Sequence, residues 1–541
     1  MTKKSLKEDD IVSYTAAMTV HLNRFYQYNS NQIESIWNET DSITNFYKNS
    51  NIFITGGTGF VGKALVEKLL RSCPDIQSIY LLMRPKKGRS IEERLDELLK
   101  NPVFGRIKQE NIDVFLKVKA VCGDITHVNL GINKKEVTIL LDKIDIVFHS
   151  AATVKFNEDL KQALIYNTLG TKQVLEFCTK IKQLKSFVYV STAFSNSIRE
   201  YIEEDVYETP YDPDAIFHFI DELSKEAFDV LSKKLLGNHP NTYTLTKALG
   251  EKIVLKYSEK IPSAIVRPSI NVFLVTASWR EPYPGWVDSV SGITGIFMEC
   301  GRGTIKSIMC NEKYKMDIIP VDIVVNTLIC AAWHTVQSRS NSMRVYNCVS
   351  GQANPITWKE FKLLTQKYSR QYPSKYVTWY PGFTYRTSKT THIVCATLFQ
   401  IIPSVILDVY LCCVGKKPIM LKISKKFYDA LLAGSHFSTN EWRFEDSTMR
   451  SLIKAVNAAP DGKYFETDID DSNGFSWEEY VKNFNLGVRQ YILKDDLSSL
   501  EQAKIKLNRL FWFQKIIQIV PIYILCRIAV PYLNQWIWEM L

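Results

Sequence analysis

Short apolar runs alternate along this 541-residue chain with stretches whose apolar residues recur every three or four positions. The first run, Asn51–Thr55, has the length and character of a buried strand, and Val61, Ala64, Leu65, Leu69 and Leu70 follow it at helical spacing. The alternation repeats through apolar runs at Ser78–Met83, Phe115–Val121, Ile144–Ser150, Phe187–Val190 and Ala264–Pro268. A helix is expected between the second and third runs, from Ser90 to Lys100. Strands that alternate with helices predict an α/β fold with a doubly wound parallel sheet. The pattern changes at both ends. Residues 1–47 are polar, with a weak helical pattern around Val20–Trp37, and predict a mobile or loosely docked arm. Beyond Gly351–Pro355 amphipathic helical character dominates. The expected organisation is therefore an arm over 1–47, an α/β domain over 48–355, a helical C-terminal domain over 356–500 and a hydrophobic tail over 501–541.

The turn after the first strand reads Gly56-Gly57-Thr58-Gly59-Phe60-Val61-Gly62. Gly56 lets the chain leave the strand sharply, Gly59 lets backbone N–H groups approach a pyrophosphate, and Gly62 lets the helix pack close to the sheet. The positive end of the following helix then faces the phosphates. Alone, this spacing serves equally well as a plain tight turn. The end of the second strand changes the balance. A Rossmann-like sheet selective for NADH places an acid there to bind the ribose 2′-hydroxyl. Here Arg84 stands there, followed by Lys86 and Lys87. Guanidinium binds a 2′-phosphate with charge-assisted hydrogen bonds, so these residues favour NADPH. Asp124, with Ile125 beside it, follows the third strand; its carboxylate suits an adenine amino group or the cap of the next turn. Ala151 and Ala152 follow the fourth strand, where small side chains permit close contact with a cofactor. His149 lies within that apolar strand and reads as structural.

Ser191 and Thr192 carry hydroxyls at the end of the fifth strand, where open parallel sheets bind ligands. Tyr243 and Lys247 lie four apart and share one face of a predicted helix. A free phenol, with a pKa near ~10, is a poor acid at neutral pH. An adjacent ammonium favours the phenolate and lowers that value. Tyr243 then protonates a carbonyl oxygen as hydride arrives, Lys247 holds the nicotinamide ribose, and Thr192 or Ser191 stabilises the developing charge.

Composition changes the picture little. A net charge of +10 on this length does not call for nucleic acid; it suits an anionic ligand or an anionic membrane surface. The eleven cysteines include no C-x-x-C pair, so neither a disulfide framework nor a metal site is expected, and a reducing compartment is. MTKKSLKEDD has no apolar core and is not a secretory signal. Two stretches bear on membranes. Ile393–Val414 is apolar but contains Gln400, Pro403 and Asp408, and Leu510–Leu541 is interrupted by Lys515, Pro521, Arg527 and Pro531. Neither is the clean run of ~18 residues that a spanning helix needs. Both suit insertion into one leaflet or a hydrophobic hairpin; the first suits a buried helix equally well. Trp279–Gly303, rich in Pro, Trp and Gly, suits a substrate lid or a packed surface loop. Lys63, in the first helix, reads as exposed.

The segments TGGTGFVG, LLMRPKKGRSIEERL, VFHSAATVKFNEDL, VYVSTAFSN, NTYTLTKALGE, IVRPSI, EPYPGWVDSVSGITG and VYNCVSG resemble the fatty acyl-CoA reductases, an extended short-chain dehydrogenase group that forms alcohols. The resemblance runs from about Ser42 to Lys494 and takes in EWRF, SWEEY and GVRQYILKDD near its end. The glycine turn and Y-x-x-x-K belong to the whole superfamily; RPKKG, the PYPGWVD loop and the C-terminal segments are more specific. The resemblance implies reduction of a long-chain acyl-CoA by two NADPH, through an aldehyde, to a primary alcohol, with release of CoA. It implies a catalytic triad of Thr192, Tyr243 and Lys247. Nucleotide contacts fall at Gly56, Gly57, Thr58, Gly59, Phe60, Val61 and Arg84. Gly62, Asp124, Ile125, Ala151, Ala152, Tyr243, Lys247, Pro268 and Ile270 complete the cofactor-binding set. Membrane lipid is an expected partner, a homodimer is allowed, and the expected place is the cytosolic face of the endoplasmic reticulum or peroxisome. The terminal Glu-Met-Leu is not the peroxisomal Ser-Lys-Leu. The alternatives are an extended short-chain dehydrogenase acting on a sterol or other ketone or alcohol, and a non-catalytic nucleotide-binding scaffold at a membrane.

Overall fold

The computed structural model describes residues 42–540 apart from 87, 270–274, 291 and 338–342. Val20–Trp37 and Ile270 therefore lie outside the described residues. Seven strands form one sheet: β1 Asn51–Thr55, β2 Ser78–Met83, β3 Val118–Cys122, β4 Ile146–His149, β5 Ser186–Val190, β6 Ser263–Pro268 and β7 Arg344–Cys348. Every pairing is parallel, in the order β7-β6-β5-β4-β1-β2-β3. This is the doubly wound topology that the alternating pattern predicts. The interior strands are buried on both faces, which is why β2 and β6 read as continuous apolar runs rather than alternating ones. The seventh strand, beside β6, was not expected from the apolar runs; its Arg344, Tyr346 and Asn347 dilute the signal.

The helices that matter below are α1 Phe60–Ser72, α2 Gly170–Cys178, α3 Thr242–Ser258, α4 Ile293–Arg302, α5 Val321–Gln337, α6 Trp358–Gln371, α7 Lys389–Cys413, α8 Met420–Ala433, α9 Ser435–Ser438, α10 Trp477–Gly487 and α11 Leu500–Met540. The C-terminal helices share the core of the sheet: Phe444, Leu452, Tyr480 and Phe484 join the cluster that contains Ile54, Phe148 and Val188. The end of the expected arm is firmly docked. Ile43 and Tyr47 are fully buried, Tyr47 donates to the Ile329 carbonyl at 2.8 Å, and Asp461 accepts from the Ile43 and Thr44 backbone N–H groups. Two apolar residues at helical spacing were too few to show against a polar background.

Trp279–Gly303 is not a single loop: its start, through Trp286, packs on the body of the protein, and Ile293–Arg302 forms α4. The Asp322 carboxylate accepts from the backbone N–H groups of Trp279, Arg280 and Glu281. Trp286 is buried and stacks on Phe60 at 5.1 Å. Gly285 sits so close to α10 that a Cβ there would lie 2.1 Å from the Asn483 carbonyl oxygen. Lys63, expected to be exposed, is instead half-buried and ion-paired with Asp288 of this segment.

The apolar stretch near residue 400 is not a buried helix of the second domain. Among the described residues, α7 is the one helix long and apolar enough to cross a membrane, at 25 residues. Leu398, Phe399, Ile406, Val409 and Tyr410 are exposed on it. It folds back on α8 as an antiparallel hairpin: Asp408 accepts from the N–H groups of Ile419, Met420 and Leu421, and Ser404 meets Ser424 at 2.6 Å. Asp408 interrupts the apolar run in sequence, but its charge serves the start of α8. The C-terminal stretch is likewise a continuous helix, α11, which runs through Pro521 and Pro531. Trp512, Ile516, Ile519 and Tyr523 are exposed on it.

Candidate active site

Parallel strands bring their C-terminal ends to one edge of the sheet, and the predicted site residues collect there. Gly56 takes a positive φ of 78° and turns directly against the end of β4; a Cβ there would lie 2.7 Å from the Ala151 nitrogen. Gly59 is the N-cap of α1 and supplies no side-chain cap, so side chains leave the first N–H groups of that helix to a ligand. A Cβ on Gly62 would lie 2.3 Å from the Gly56 oxygen, so helix and turn touch. Gly57, Thr58, Phe60 and Val61 complete this turn. The cradle fits a dinucleotide pyrophosphate.

At the end of β2, the Arg84 guanidinium is 57% exposed. It lies 3.3 Å from the Tyr166 hydroxyl, 5.4 Å from that ring's centre and 3.6 Å from Asp124. The other oxygen of Asp124 caps the turn after β3, accepting from the Thr126 N–H and hydroxyl at 3.0 Å each. Ile125 is buried against Gly170 at the start of α2. Ala151 and Ala152 are half-buried beside the glycine turn, and the Pro268 carbonyl, at the end of β6, accepts from Ala193.

His149 is structural, as its setting in an apolar strand predicts. It is fully buried, with Nδ1 2.6 Å from the Thr55 hydroxyl and Nε2 3.0 Å from that of Thr171. Burial, with Lys247 nearby, pushes its pKa down to about 3. The neutral ring therefore contributes stability that is fully present above pH 6.5, its ordinary value, and is lost as pH falls toward 3. Denaturant melts from neutral pH to pH 4 are expected to show this loss. His149→Gln flattens the slope; an unchanged slope would contradict the assignment.

The candidate catalytic residues lie at the end of β5 and on α3. Asn241 caps α3 by accepting from the Thr244 N–H at 2.9 Å. Lys247 donates from Nζ to the Val190 carbonyl at 2.6 Å and lies over the Tyr189 ring. That bond docks α3 against the strand end that carries Ser191 and Thr192. Tyr243 and Lys247 are both buried. Burial pushes the Lys247 ammonium down to about 7, opposed by the Glu251 carboxylate. Burial also pushes the Tyr243 phenol up. This differs from the expectation that the ammonium lowers the phenol: in the protein alone burial sets the direction for Tyr243, and the Lys247 ammonium donates to a backbone carbonyl. Ser191 and Thr192 are distinguished by their partners. The Ser191 hydroxyl is committed to Glu251 at 2.5 Å, whereas the Thr192 oxygen accepts from the Phe194 N–H at 3.3 Å.

Four residues of this region carry no signal in the apolar pattern. Tyr166 supports Arg84. Asn167 bridges the Thr153 backbone and the Thr246 hydroxyl of α3. Both lie in a π turn, Ile165–Leu169, a local widening common at functional sites and invisible to 3.6-residue periodicity. Glu251 and Arg267 form a buried ion pair beneath Ser191. Glu251 stands four residues after Lys247, so the same spacing that picked out Tyr243 and Lys247 could have found it.

A parallel sheet with its glycine turn on α1, and with Tyr243 and Lys247 docked on β5, defines a nicotinamide-dependent oxidoreductase of the short-chain dehydrogenase type. Comparison with known proteins agrees. Two family models, each described as male sterility protein, match residues 54–328 and 399–495. Fatty acyl-CoA reductase 1 of Xenopus laevis is 36% identical over 469 residues, 87% of this chain and 90% of that protein. The human fatty acyl-CoA reductase 1 is 34% identical over the same share of each. A putative fatty acyl-CoA reductase of Drosophila melanogaster is 38% identical, covering 86% of this chain and 90% of its own length. The chain belongs to the fatty acyl-CoA reductase family. Its fold is also that of the terminal reductase domain of the myxalamid pathway, with a TM-score of 0.54 at 19% identity over 82% of this chain and 92% of that one. The reductase domain of a nonribosomal peptide synthetase from Mycobacterium tuberculosis gives 0.53 at 17% over 84% and 96%.

Proposed function

We propose that the protein reduces long-chain fatty acyl-CoA to the primary alcohol, with NADPH as reductant, an aldehyde as intermediate and release of CoA. The observation that supports the catalytic reading is the Lys247 bond to the Val190 carbonyl, which docks the helix that carries Tyr243 on the strand that leads into Ser191 and Thr192. When bound, the reduced nicotinamide supplies hydride. Thr192 hydrogen-bonds the substrate carbonyl oxygen, and Tyr243 delivers a proton to it. Lys247 orients the ribose hydroxyls and carries the charge that eases proton loss from Tyr243. The substrate for which its relatives are named supports the acyl-CoA assignment. The exposed faces of α7 and α11 support a membrane lipid partner, which is where long acyl chains and alcohols partition. The test is purified protein with NADPH and a panel of acyl-CoAs, products separated by oxidation level. Two NADPH consumed per thiol released are expected. NADPH oxidation on a sterol or ketone without thiol release would replace this reading.

NADPH selection rests on Arg84. Arg84→Ala is expected to raise the KM for NADPH by about tenfold or more, the weight of a charge-assisted hydrogen bond, and that for NADH much less. Steady-state kinetics with both cofactors checks this, and equal effects would remove the 2′-phosphate role.

A further inference from the structure

One cavity takes no part in the chemistry above. It lies between α4, α6, α8 and α9 and is narrow, with a volume of about 60 Å³. Its walls are carbon for the most part, built from Ile296, Phe297, Phe361, Phe383, Leu431 and Phe437. Protein interiors tolerate few voids larger than a water, and this one has the width of a single slender chain rather than of a bulky ligand. The cavity is also placed between two features already described. At one end Phe437 lines it, and the Phe437 ring lies 5.6 Å from Phe156, which lies 6.1 Å from Tyr243. At its wall α8 contributes Leu431 and packs as well against the exposed apolar helix α7.

We infer that this cavity holds the hydrocarbon tail of the acyl thioester, with Phe437 marking the point where the tail gives way to the reacting carbonyl. The inference rests on the acyl-CoA reading above and adds where the chain lies and what selects its length. A linear hydrocarbon is the occupant that the lining favours: aliphatic and aromatic walls reward methylene groups and offer a charged head nothing to pair with. The thioester carbonyl then falls toward Tyr243, and the tail extends toward the hairpin that faces lipid. Chain length is set by how much of the cavity the side chains fill.

The test uses the full-length protein in detergent micelles. A non-reducible thioether analogue of a long-chain acyl-CoA, with a diazirine near the chain end, is cross-linked in the presence of NADPH, and the labelled peptides are mapped by mass spectrometry. Label in α4, α6 or α8 is expected; label confined to other segments overturns the assignment. In parallel, Leu431→Trp fills the cavity and Leu431→Ala enlarges it. The ratio of kcat/KM for medium-chain over very-long-chain substrates is expected to rise about tenfold in the first and to fall in the second. An unchanged ratio in both, with melting and NADPH binding intact, overturns it. Should Leu431→Trp fail to fold, Leu431→Ala and the labelling still decide. The two readings fail separately: labelling of the cavity in a protein that forms no alcohol retains the cavity and removes the reaction. Alcohol formation with label elsewhere does the reverse.

Discussion

Tyr243→Phe is expected to lower alcohol formation by about 10²–10⁴-fold, the weight of a positioned general acid, while NADPH still binds. The substitution removes one oxygen from a side chain that is buried at the start of α3, so the helix, its Asn241 cap and the Lys247 bond to Val190 all stay in place. Only the proton donor is lost. Each hydride addition needs a proton on the carbonyl oxygen; after the first, that O–H proton is given up as the C–S bond breaks and CoA leaves as the thiol, and after the second it stays on the alcohol, so aldehyde supplied directly should be reduced as poorly as acyl-CoA. The checks are turnover with each substrate and NADPH binding by fluorescence. Near-normal turnover would sink the assignment of the acid, and lost NADPH binding would make Tyr243 a cofactor contact first. Burial alone pushes the phenol up and the ammonium down, which makes the protein without ligand a poor proton donor system. The pairing that the spacing of Tyr243 and Lys247 suggests therefore depends on what binds between them.

Much of this site was legible in the sequence because its chemistry is local. A strand followed by three glycines, an arginine at the next strand's end and a Tyr–Lys pair on one helix turn are each read from neighbours in the chain. The parallel topology then brings the strand ends together with no further information. What was not legible is what depends on distant partners. Asp322 holds the 279–281 backbone and so fixes the start of a proline- and glycine-rich segment that ends as a helix. Asp408 interrupts an apolar run in sequence yet caps the next helix in space. Lys63 looks solvated until Asp288 is found beside it. The fatty acyl substrate was never in the glycine turn or the triad; it came from the family resemblance, and the cavity beside Phe437 offers it a place.

Loss of the Glu251 carboxylate is expected to be as damaging to the fold as loss of Tyr243 is to turnover. Arg267 reaches both Glu251 oxygens, at 2.9 and 2.8 Å, and donates to the Glu203 and Asp205 carbonyls. Glu251 in turn accepts from Ser191 and Ser195. Both charges are out of solvent, so removing one leaves the other buried and unpaired, at a cost of about 3–5 kcal/mol. Glu251→Leu and Arg267→Met should each melt far below the parent. A double Glu251→Leu, Arg267→Met variant should recover much of the loss, because a buried pair replaced by apolar side chains is often close to neutral. A double-mutant cycle in thermal or denaturant melts measures this; additive losses would mean that the two residues are not coupled. Glu251→Gln probes the chemistry with less damage to the fold than Glu251→Leu, because the amide keeps an acceptor for Ser191 and Arg267 but drops the charge. That charge opposes the desolvation of Lys247, so without it the Lys247 pKa falls further below about 7. Activity that needs the ammonium should then lose its alkaline limb at a lower pH than in the parent, and a limb that stays in place would show that Lys247 acts uncharged.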